Sequence, residues 1–479
     1  MHADLSRTTF RPERHYSAVL SQQGRVQLDA DANEQAAIDL HRARTTAADL
    51  IGPHGAPAGH EGFAVEFDAR GQDLDDLKLS WGRYYVDGIL VDSDRPSPIG
   101  TVPDEGAEAD SEVAEDAPPE AALQWTYWDQ PDAYRNPENP ADRLPSAPFL
   151  AYLKIWERSV TAAEDPSIRE VALGSALPDT AARVRTVWQV LPLSAADLGL
   201  KAGADAEDAR KAFDEWTLRQ GPGGALAARA QRPEHADDDP CLARPDARYR
   251  GPENQLYRVE IHDGGRGAGS GEATFVWSRE NGSVVFPVDG LDGTWVDLAH
   301  LGGDAKLDVN PGDWVEFCDS AYVSRLQPKP LLRVEEIDLP RRRVRLSGEP
   351  GGGVGRHPER HPFLRRWDHR TGSRTADGTL TPLRGGAVPV EEGRWLHLEE
   401  GVEVYFGPGG RYRTGDHWLI PARTATGTVE WPADAAGRPY FVDPAGIDFH
   451  FAPLAWITAD GVAHNLRRVF QPLAVSREG

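Results

Sequence analysis

The chain has 479 residues and a formal net charge of −24 at pH 7. Binding to nucleic acid requires a basic surface that neutralises phosphates, so this charge argues against a nucleic acid partner. The sequence has no run of about 18 apolar residues, which argues against a membrane-spanning helix. Glycine and proline number 48 and 38, a composition that favours many turns and short strands.

The N-terminal sequence indicates where the protein is made, and the cysteines indicate whether a metal site is present. MHADLSRTTF lacks the basic and apolar segments of a secretory signal, so we expect synthesis in the cytoplasm. Cys241 and Cys318 lack the CxxC spacing of a metal site and are interpreted as plain thiols. We predict no cofactor and no metal.

Residues 1–57 are predicted to form an extended polar arm followed by a docking helix. Asp29 or Asp31 can cap the start of this helix, and Gly52-Pro53 ends it. No catalytic constellation lies in this block, and a long defined segment without chemistry is typical of an assembly interface. Spacings of three and four place on one helix face Ala36, Leu40, Ala43, Ala47, Leu50 and Ile51.

Residues 58–193 are predicted to form a first β domain. Asp87-Gly88 between two apolar runs indicates a hairpin, and residues 149–157 and 184–193 are predicted to be paired strands. Residues 104–120 hold eight acidic residues and no basic ones, so we predict a disordered acidic loop over residues 101–120. The alternative is a charged tether for a basic partner surface.

The rest of the chain divides into three predicted blocks. Residues 194–252 are a helical segment and linker, with helices over 195–200 and 205–219. Residues 253–350 form a second β domain of barrel or sandwich type, in which Asn281-Gly282 is a candidate hairpin turn. Residues 351–479 are a C-terminal β region that ends in a strand pair. The predicted fold class is mainly β with minor α (α+β), built from short antiparallel strands.

Several patterns resemble catalytic or metal sites. Asp29 and Asp31 have the spacing of the first two ligands of a calcium loop, but Glu34 occupies the sixth position, where that loop needs glycine. Both aspartates are therefore interpreted as charges at a helix N-terminus. His357 and His361 are separated by a proline and are interpreted as loop residues.

Asp416 and His417 are adjacent on a predicted strand and therefore face opposite sides, which argues against an acid–base pair. Residues 264–271 are glycine-rich but fit no phosphate-binding motif and are interpreted as a hairpin loop. Six tryptophans in predicted strands are expected to fill β cores: Trp81, Trp156, Trp188, Trp277, Trp314 and Trp418. We predict that the chain is not an enzyme.

Seven segments carry a recognisable pattern. The longest is SRTTF-x-P-x-x-HYS-x-VL-x-QQGRVQLDAD-x-NEQ over residues 6–35. The others are WGRYYVDGILV, YLKIWERSVTAAEDPSIREVALG, RTVWQV, ENQLYRVEIH, ATFVWSRENGSVVFPV and TGDHWLIPARTATGTVEWP. Together they cover most of the chain, and they resemble a bacterial domain family of unknown function whose genes lie in clusters for phage-tail-like contractile injection systems.

The resemblance implies a structural component of such a particle, at the baseplate or beside the spike or fibres; a cap or cage element is a second placement. The expected partners are other particle subunits, including further copies of this chain, and the protein would leave the cell only within the particle. Residues expected to contact neighbours are Phe10, His15, Tyr16, Gln22, Gln23, Arg25, Asp29, Asp31, Asn33, Glu34 and Leu40, with Glu157, Arg158 and Arg169 from a second, mixed-charge stretch.

Two other functions stay open at this point. A glycan-cleaving tail enzyme would need a carboxylate pair, whose members are usually distant in sequence. A carbohydrate- or receptor-binding module would need an exposed aromatic patch without such a pair. The sequence does not predict stoichiometry, symmetry or the neighbouring subunit.

Overall fold

The computed structural model describes residues 1–71, 74–94, 124–174, 178–201, 203–231, 248–266, 273–303, 306–328, 330–351, 353–370, 373–375 and 380–473. The described chain is mainly β, with the predicted helix near its N-terminus, which confirms the predicted fold class. The acidic segment 101–120, Cys241 and most of the predicted linker lie outside the described residues.

Residues before position 222 supply two α-helices and eight strands of the described chain. The helices are α1 (Asp29–Ile51) and α2 (Ala206–Leu218). The strands are β1 (His54–Pro57), β2 (Val65–Asp68), β3 (Asp76–Leu79), β4 (Arg83–Val86), β5 (Ile89–Asp92), β6 (Trp125–Thr126), β7 (Phe149–Val160) and β8 (Arg183–Ser194).

In the remaining described residues the regular secondary structure is strand, apart from the short helix α3 (Ser320–Arg325) and the 3-10 turn Pro358–Arg360. Up to residue 346 the strands are β9 (Leu226–Ala230), β10 (Gln255–Asp263), β11 (Gly265–Arg266), β12 (Thr274–Ser278), β13 (Val285–Asp292), β14 (Trp295–Leu298), β15 (Trp314–Cys318), β16 (Leu332–Asp338) and β17 (Arg343–Leu346). The later strands are β18 (Phe363–Trp367), β19 (Ser373–Thr375), β20 (Leu380–Thr381), β21 (Val388–Pro389), β22 (Trp395–His397), β23 (Val402–Phe406), β24 (Arg411–Tyr412), β25 (His417–Arg423), β26 (Thr428–Val429), β27 (His450–Ile457), β28 (Ala463–Asn465) and β29 (Val469–Phe470).

The chain divides into two compact units, each built from separate stretches. Unit 1 contains Met1–Ile38, Glu157–Arg185 and Pro222–Asp448, and unit 2 contains Asp39–Trp156, Thr186–Gly221 and Phe449–Gly479. The predicted boundaries at residues 57, 193, 252 and 350 describe contiguous blocks and stay predictions.

Unit 1 contains a closed barrel and two larger sheets. The barrel has the strand order β13-β14-β17-β16-β15-β18, so the strands β15, β16 and β17 pair in sequence order. Its interior is filled by branched and aromatic side chains such as Val296, Val344 and Phe286. The two sheets have the orders β21-β12-β10-β25-β26 and β20-β19-β22-β23-β9, and they share one apolar core.

Strand β10 has one apolar and one charged face, and this division positions the candidate site. Tyr257, Val259 and Ile261 point into the core shared by the two sheets. Because side chains alternate along a strand, Arg258 and Glu260 lie together on the opposite face. Both of them are nevertheless enclosed, since their side chains are only 2% and 14% exposed.

The predicted hairpin at Asn281-Gly282 is wrong, although the turn itself is present. Both residues take positive φ angles of 52° and 65°, as a tight turn between strands requires. The flanking strands belong to different structures, since β12 lies in a five-stranded sheet and β13 in the barrel. The turn is fixed instead by the Asn281 backbone N–H, which donates to the carbonyl oxygen of Leu256 at 3.0 Å.

Unit 2 contains sheets of orders β29-β1-β4-β5, β28-β27-β7-β8 and β2-β3-β6. The hairpin at Asp87-Gly88 joins β4 to β5, the long strands β7 and β8 are neighbours, and β27 pairs with β28, as predicted. Gly88 is required at its turn because its φ is +78° and a Cβ there would lie 2.0 Å from the carbonyl oxygen of Arg44.

Two further predictions about unit 2 are corrected or confirmed by local hydrogen bonds. The predicted helix over residues 195–200 is wrong: the segment forms a turn in which the Ser194 hydroxyl accepts the backbone N–H of Asp197 at 3.2 Å. The segment stops after one turn at Gly199, whose φ of +69° is typical of a helix end. The next predicted helix is confirmed as α2, capped by Asp205, which accepts backbone N–H groups from Glu207 and Asp208 at 2.9 Å each.

The strand tryptophans mostly fill cores, with one exception. Trp156, Trp188, Trp277 and Trp418 are buried as predicted, and Trp314 is partly buried in β15. Trp81 is 40% exposed and lies in the bend between β3 and β4, outside the strands, so its predicted core position is wrong.

Candidate interaction arm

The first nine residues form an anchor that is bound to unit 1 of the same chain. His2 Nε2 lies 2.8 Å from Glu260 Oε2, and Ser159 Oγ donates to the carbonyl oxygen of His2 at 3.0 Å. The Asn281 amide donates to the carbonyl oxygens of Met1 and Ala3 at 3.0 and 2.9 Å. The turn that the sequence predicted as a hairpin therefore serves as a clamp for the anchor.

The charges around His2 favour a neutral imidazole. Burial lowers the pKa of His2 well below its ordinary value of 6.5, and the guanidinium groups of Arg258 and Arg365 lower it further. Burial raises the pKa of Glu260, but Arg258 and His2 more than offset this, so that the pKa of Glu260 falls well below its usual range. At neutral pH a neutral His2 thus donates to an ionised Glu260, which also pairs with Arg258.

The end of the anchor is tied to the first turn of α1. The backbone N–H and hydroxyl of Ser6 both donate to the Asp29 carboxylate, at 2.9 and 2.6 Å. The Thr9 hydroxyl donates to Glu34 Oε2 at 2.6 Å. Asp31 caps the helix by accepting the backbone N–H of Leu28 at 3.0 Å, so Asp29 and Asp31 have separate roles.

Residues 11–28, which we call the exposed segment, extend away from these contacts. All of them except Val19 are exposed, and none belongs to a strand. Leu20 and Val26 are each 83% exposed, and Tyr16 is 58% exposed. The segment reverses direction at Gln22, whose carbonyl oxygen accepts the Arg25 N–H at 3.2 Å, with Gly24 at φ +70°.

The two ends of the exposed segment are fixed although its middle is open. Thr9 holds one end against Glu34, Leu28 begins α1 at the other end, and the Val19 N–H donates to the Gln35 side chain at 2.8 Å. The segment is therefore a short loop that is attached to the first turns of α1, rather than a free tail. Leu20 and Val26 are among the most exposed large apolar side chains of the described residues.

Helix α1 is confirmed at both ends, but its alanine-rich stripe is largely exposed. Only Ala30 and Ile38 are buried along its 23 residues. Leu40 and Leu50 on the predicted stripe are exposed, so the stripe does not form the buried face of this helix. Its packing against a neighbouring subunit stays a prediction.

The structure brings most of the predicted contact residues together around the exposed segment. Phe10, Asp31 and Glu34 are partly buried. The exposed members of the predicted set are His15, Tyr16, Gln22, Gln23, Arg25, Asp29, Asn33 and Leu40.

The second predicted contact, around residues 157–170, also belongs to unit 1. Glu157, Arg158 and Arg169 are partly buried, and Arg158 pairs with the enclosed Glu164. The neighbouring Val171 and Leu173 are strongly exposed. This stretch therefore combines internal ion pairs with a small apolar surface.

Sequence reasoning missed the anchor. Its contacts with Ser159, Glu260 and Asn281 join residues more than 150 positions apart, and no local pattern in MHADLS indicates them. One signal was present in the sequence LYRVEIH: alternation places Arg258 and Glu260 on the same face of a strand whose other face is apolar. Two opposite charges on one face of a buried strand indicate a polar cluster that needs further partners.

The other candidate residues do not assemble into a reactive site. Asp416 Oδ1 accepts from Arg413 Nη2 at 2.7 Å, and burial raises the pKa of Asp416 to about 6. His417 is turned to the carbonyl oxygen of Gly415. His357 and His361 flank a single 3-10 turn, and burial raises the pKa of the Cys318 thiol.

Within the described residues, no group of three or more His, Cys, Asp or Glu side chains is arranged to hold a metal ion. No helix of the described chain has the length and apolarity needed to cross a bilayer.

The fold and the arm define a mainly β protein whose N-terminal arm is bound to its own chain at both ends. The model of a family of unknown function, DUF6519, matches residues 1–129, 142–221 and 216–478. The chain belongs to this family. No curated protein and no solved structure matched it.

Proposed function

We propose that this protein is a structural subunit of a phage-tail-like contractile injection particle, at the baseplate or beside the spike or fibres. It attaches to a neighbouring subunit through the exposed segment. The observation that carries the attachment is the pair of apolar side chains, Leu20 and Val26, held open at 83% exposure on an excursion with fixed ends. The choice of particle rests on the resemblance of the sequence to proteins encoded in such gene clusters.

The energetics favour docking through this segment. Burying one large aliphatic side chain contributes roughly 1.5–3 kcal/mol, so Leu20 and Val26 together supply a useful share of a subunit contact. Because both ends of the segment are already fixed, less chain entropy is lost on binding than for a free tail. The anchor thus prepares the exposed segment for its partner.

The charge of the segment indicates the character of the partner surface. Residues 11–28 carry Arg11, Arg14 and Arg25 against the single acid Glu13, whereas the whole chain has a net charge of −24. An acidic surface with an apolar centre would complement the segment. Another copy of this chain has the required charge, so we include a homo-oligomeric contact within the particle.

The test uses two exposed aspartate substitutions in the gene of the producing bacterium. Leu20→Asp with Val26→Asp places charges where the partner would bury apolar groups. We expect the double variant to be absent from sheath-containing particles isolated by sedimentation, while it accumulates as unassembled protein. Quantitative mass spectrometry of this chain relative to the spike protein measures the effect.

The matched control is Leu218→Asp, at an equally exposed leucine of α2 that is 85% exposed. This control should enter particles at the wild-type ratio. Incorporation of the double variant at that ratio would show that the exposed segment is not part of the interface. Absence of the wild-type chain from intact particles would reject the structural role itself.

A further inference from the structure

The sheet of β22, β23 and β9 has a second face that lies outside the core of unit 1. Val402, Val404 and Phe406 of β23 point into the core and are fully buried. Glu403 and Tyr405 alternate with them and therefore lie on the outer face. The register pairs Tyr405 with Trp395 on β22, so aromatic side chains from adjacent strands lie side by side there.

The aromatic part of this outer face continues beyond the sheet. The rings of Trp395 and Tyr405 are 5.3 Å apart, and the ring of Phe441 is 5.7 Å from that of Tyr405. Phe441 is 52% exposed and the adjacent Tyr440 is 55% exposed. Aromatic rings from three chain segments, partly exposed at Trp395 and Tyr405 and more open at Phe441, thus form one continuous patch.

The next cross-strand row on the same face is charged. Glu403 Oε1 lies 3.1 Å from His397 Nε2, and Glu403 Oε2 lies 2.7 Å from Arg229 Nε. The carboxylate is only 2% exposed, while the side chains of His397 and Arg229 are 35% and 36% exposed. The guanidinium of Arg229 also covers the Trp395 ring at 4.0 Å and so joins the two rows.

We propose that this face, defined by Trp395, Tyr405, Phe441, Arg229 and His397, binds an oligosaccharide of neutral sugars. A sugar ring presents a C–H-rich surface that packs on an aromatic ring, and hydroxyl groups at its rim that accept hydrogen bonds. Ligand sites generally combine aromatic surface with a few placed polar groups, and both are present here in adjacent rows. Glu403 holds the side chains of Arg229 and His397 in place.

The charges indicate a neutral ligand and a binding role. Glu403 offsets the positive charge of Arg229, so the face carries no excess cation that would select a polyanion. Both Glu403 oxygens are already engaged, which leaves the carboxylate as a positioning group. This site is independent of the exposed segment and does not rest on the proposed structural role.

The experiment presents fluorescently labelled full-length protein to an array of bacterial surface glycans, with laminarihexaose, chitohexaose and cellohexaose as defined neutral probes. Affinity electrophoresis then measures Kd for each glycan that binds. We expect the wild type to bind at least one neutral glycan. Trp395→Ala and Tyr405→Ala should each weaken that binding by at least about tenfold.

Control variants separate the site from general effects. Trp81→Ala removes a tryptophan ring of unit 2 that is 40% exposed and should leave glycan binding unchanged. If Trp395→Ala fails to fold, as judged by circular dichroism, Trp395→Leu keeps the apolar bulk but removes the ring and should still lose binding. Trp395→Phe should restore part of it.

Two results would overturn the assignment. One is a wild-type protein that binds no neutral glycan at millimolar concentration. The other is glycan binding that survives both Trp395→Ala and Tyr405→Ala. A variant at this face that loses incorporation into particles without any glycan binding by the wild type would show a protein contact instead, and would equally reject the saccharide site.

Discussion

The anchor and the exposed segment are consecutive parts of one arm with opposite relations to the fold. Residues 1–9 are held by hydrogen bonds, including His2 with Glu260 and Ser6 with Asp29, and by the ion pair of Arg7 with Glu430. Residues 11–28 present Leu20 and Val26 to solvent. Directional polar contacts fix where the arm starts, while non-directional apolar surface is left for a partner. The comparison teaches that the position of the arm and its adhesive surface are supplied by different residues.

The largest loss of stability is expected from a substitution of Glu260, which binds both His2 of the anchor and Arg258 of strand β10. Glu260→Gln leaves the Arg258 guanidinium enclosed without its charge partner, and breaking a buried pair costs about 3–5 kcal/mol. We expect the urea midpoint of unfolding to fall accordingly, with loss of order in the anchor.

The control for this change is Glu430→Gln, which removes a carboxylate that pairs with Arg7 near the surface. Exposed pairs contribute roughly 0–1 kcal/mol, so this variant should unfold close to the wild type. Equal stability of Glu260→Gln and Glu430→Gln would show that the cluster around His2 does not hold the anchor.

A smaller effect is expected from the anchor side chain itself. His2→Ala removes the donor to Glu260 and should cost roughly 1–3 kcal/mol, mainly as local release of residues 1–9. Limited proteolysis followed by mass spectrometry should show faster cleavage within the arm. His15→Ala, at an exposed position of the same arm, should be cleaved at the wild-type rate.

The fold was more predictable from the sequence than the arm was, for a physical reason. Local signals, such as the Asp87-Gly88 turn and the Gly52-Pro53 helix stop, depend on neighbouring residues and were confirmed. The clamp of Asn281 on Ala3 depends on residues 278 positions apart and leaves no local trace. Asn281-Gly282 was therefore read correctly as a turn and wrongly as a hairpin. The outer face of β23 could be predicted by alternation, but its partner Phe441 could not.

Folding stability around the anchor should also decrease in acid, and the direction of this change follows from the pKa values of two histidines. Burial lowers the pKa of both His2 and His417 well below 6.5, whereas the unfolded chain has ordinary histidines. The unfolded state therefore binds protons first as the pH falls below 6.5, and folding stability decreases. The lowered pKa of Glu260 acts in the same direction, with its contribution lost as the pH falls below about 4.5.

Urea midpoints measured between pH 7.5 and pH 4.5 check this expectation. The midpoint of the wild type should fall steadily below pH 6.5, and less steeply for His2→Gln, because glutamine keeps a donor toward Glu260 but binds no proton. A midpoint that rises on acidification to pH 5 would contradict a neutral, buried His2.

The smallest expected effect separates the two parts of the arm most sharply. Leu20→Asp with Val26→Asp changes side chains that are 83% exposed, so the free energy of unfolding should stay within about 0.5 kcal/mol of the wild type for each substitution. The same double variant is expected to lose its place in the particle. A stability loss of several kcal/mol would mean that these side chains pack against their own chain, and the exposed segment would then belong to the fold, as the anchor does. Unchanged stability together with lost assembly requires instead that the apolar surface of residues 11–28 is used by another molecule.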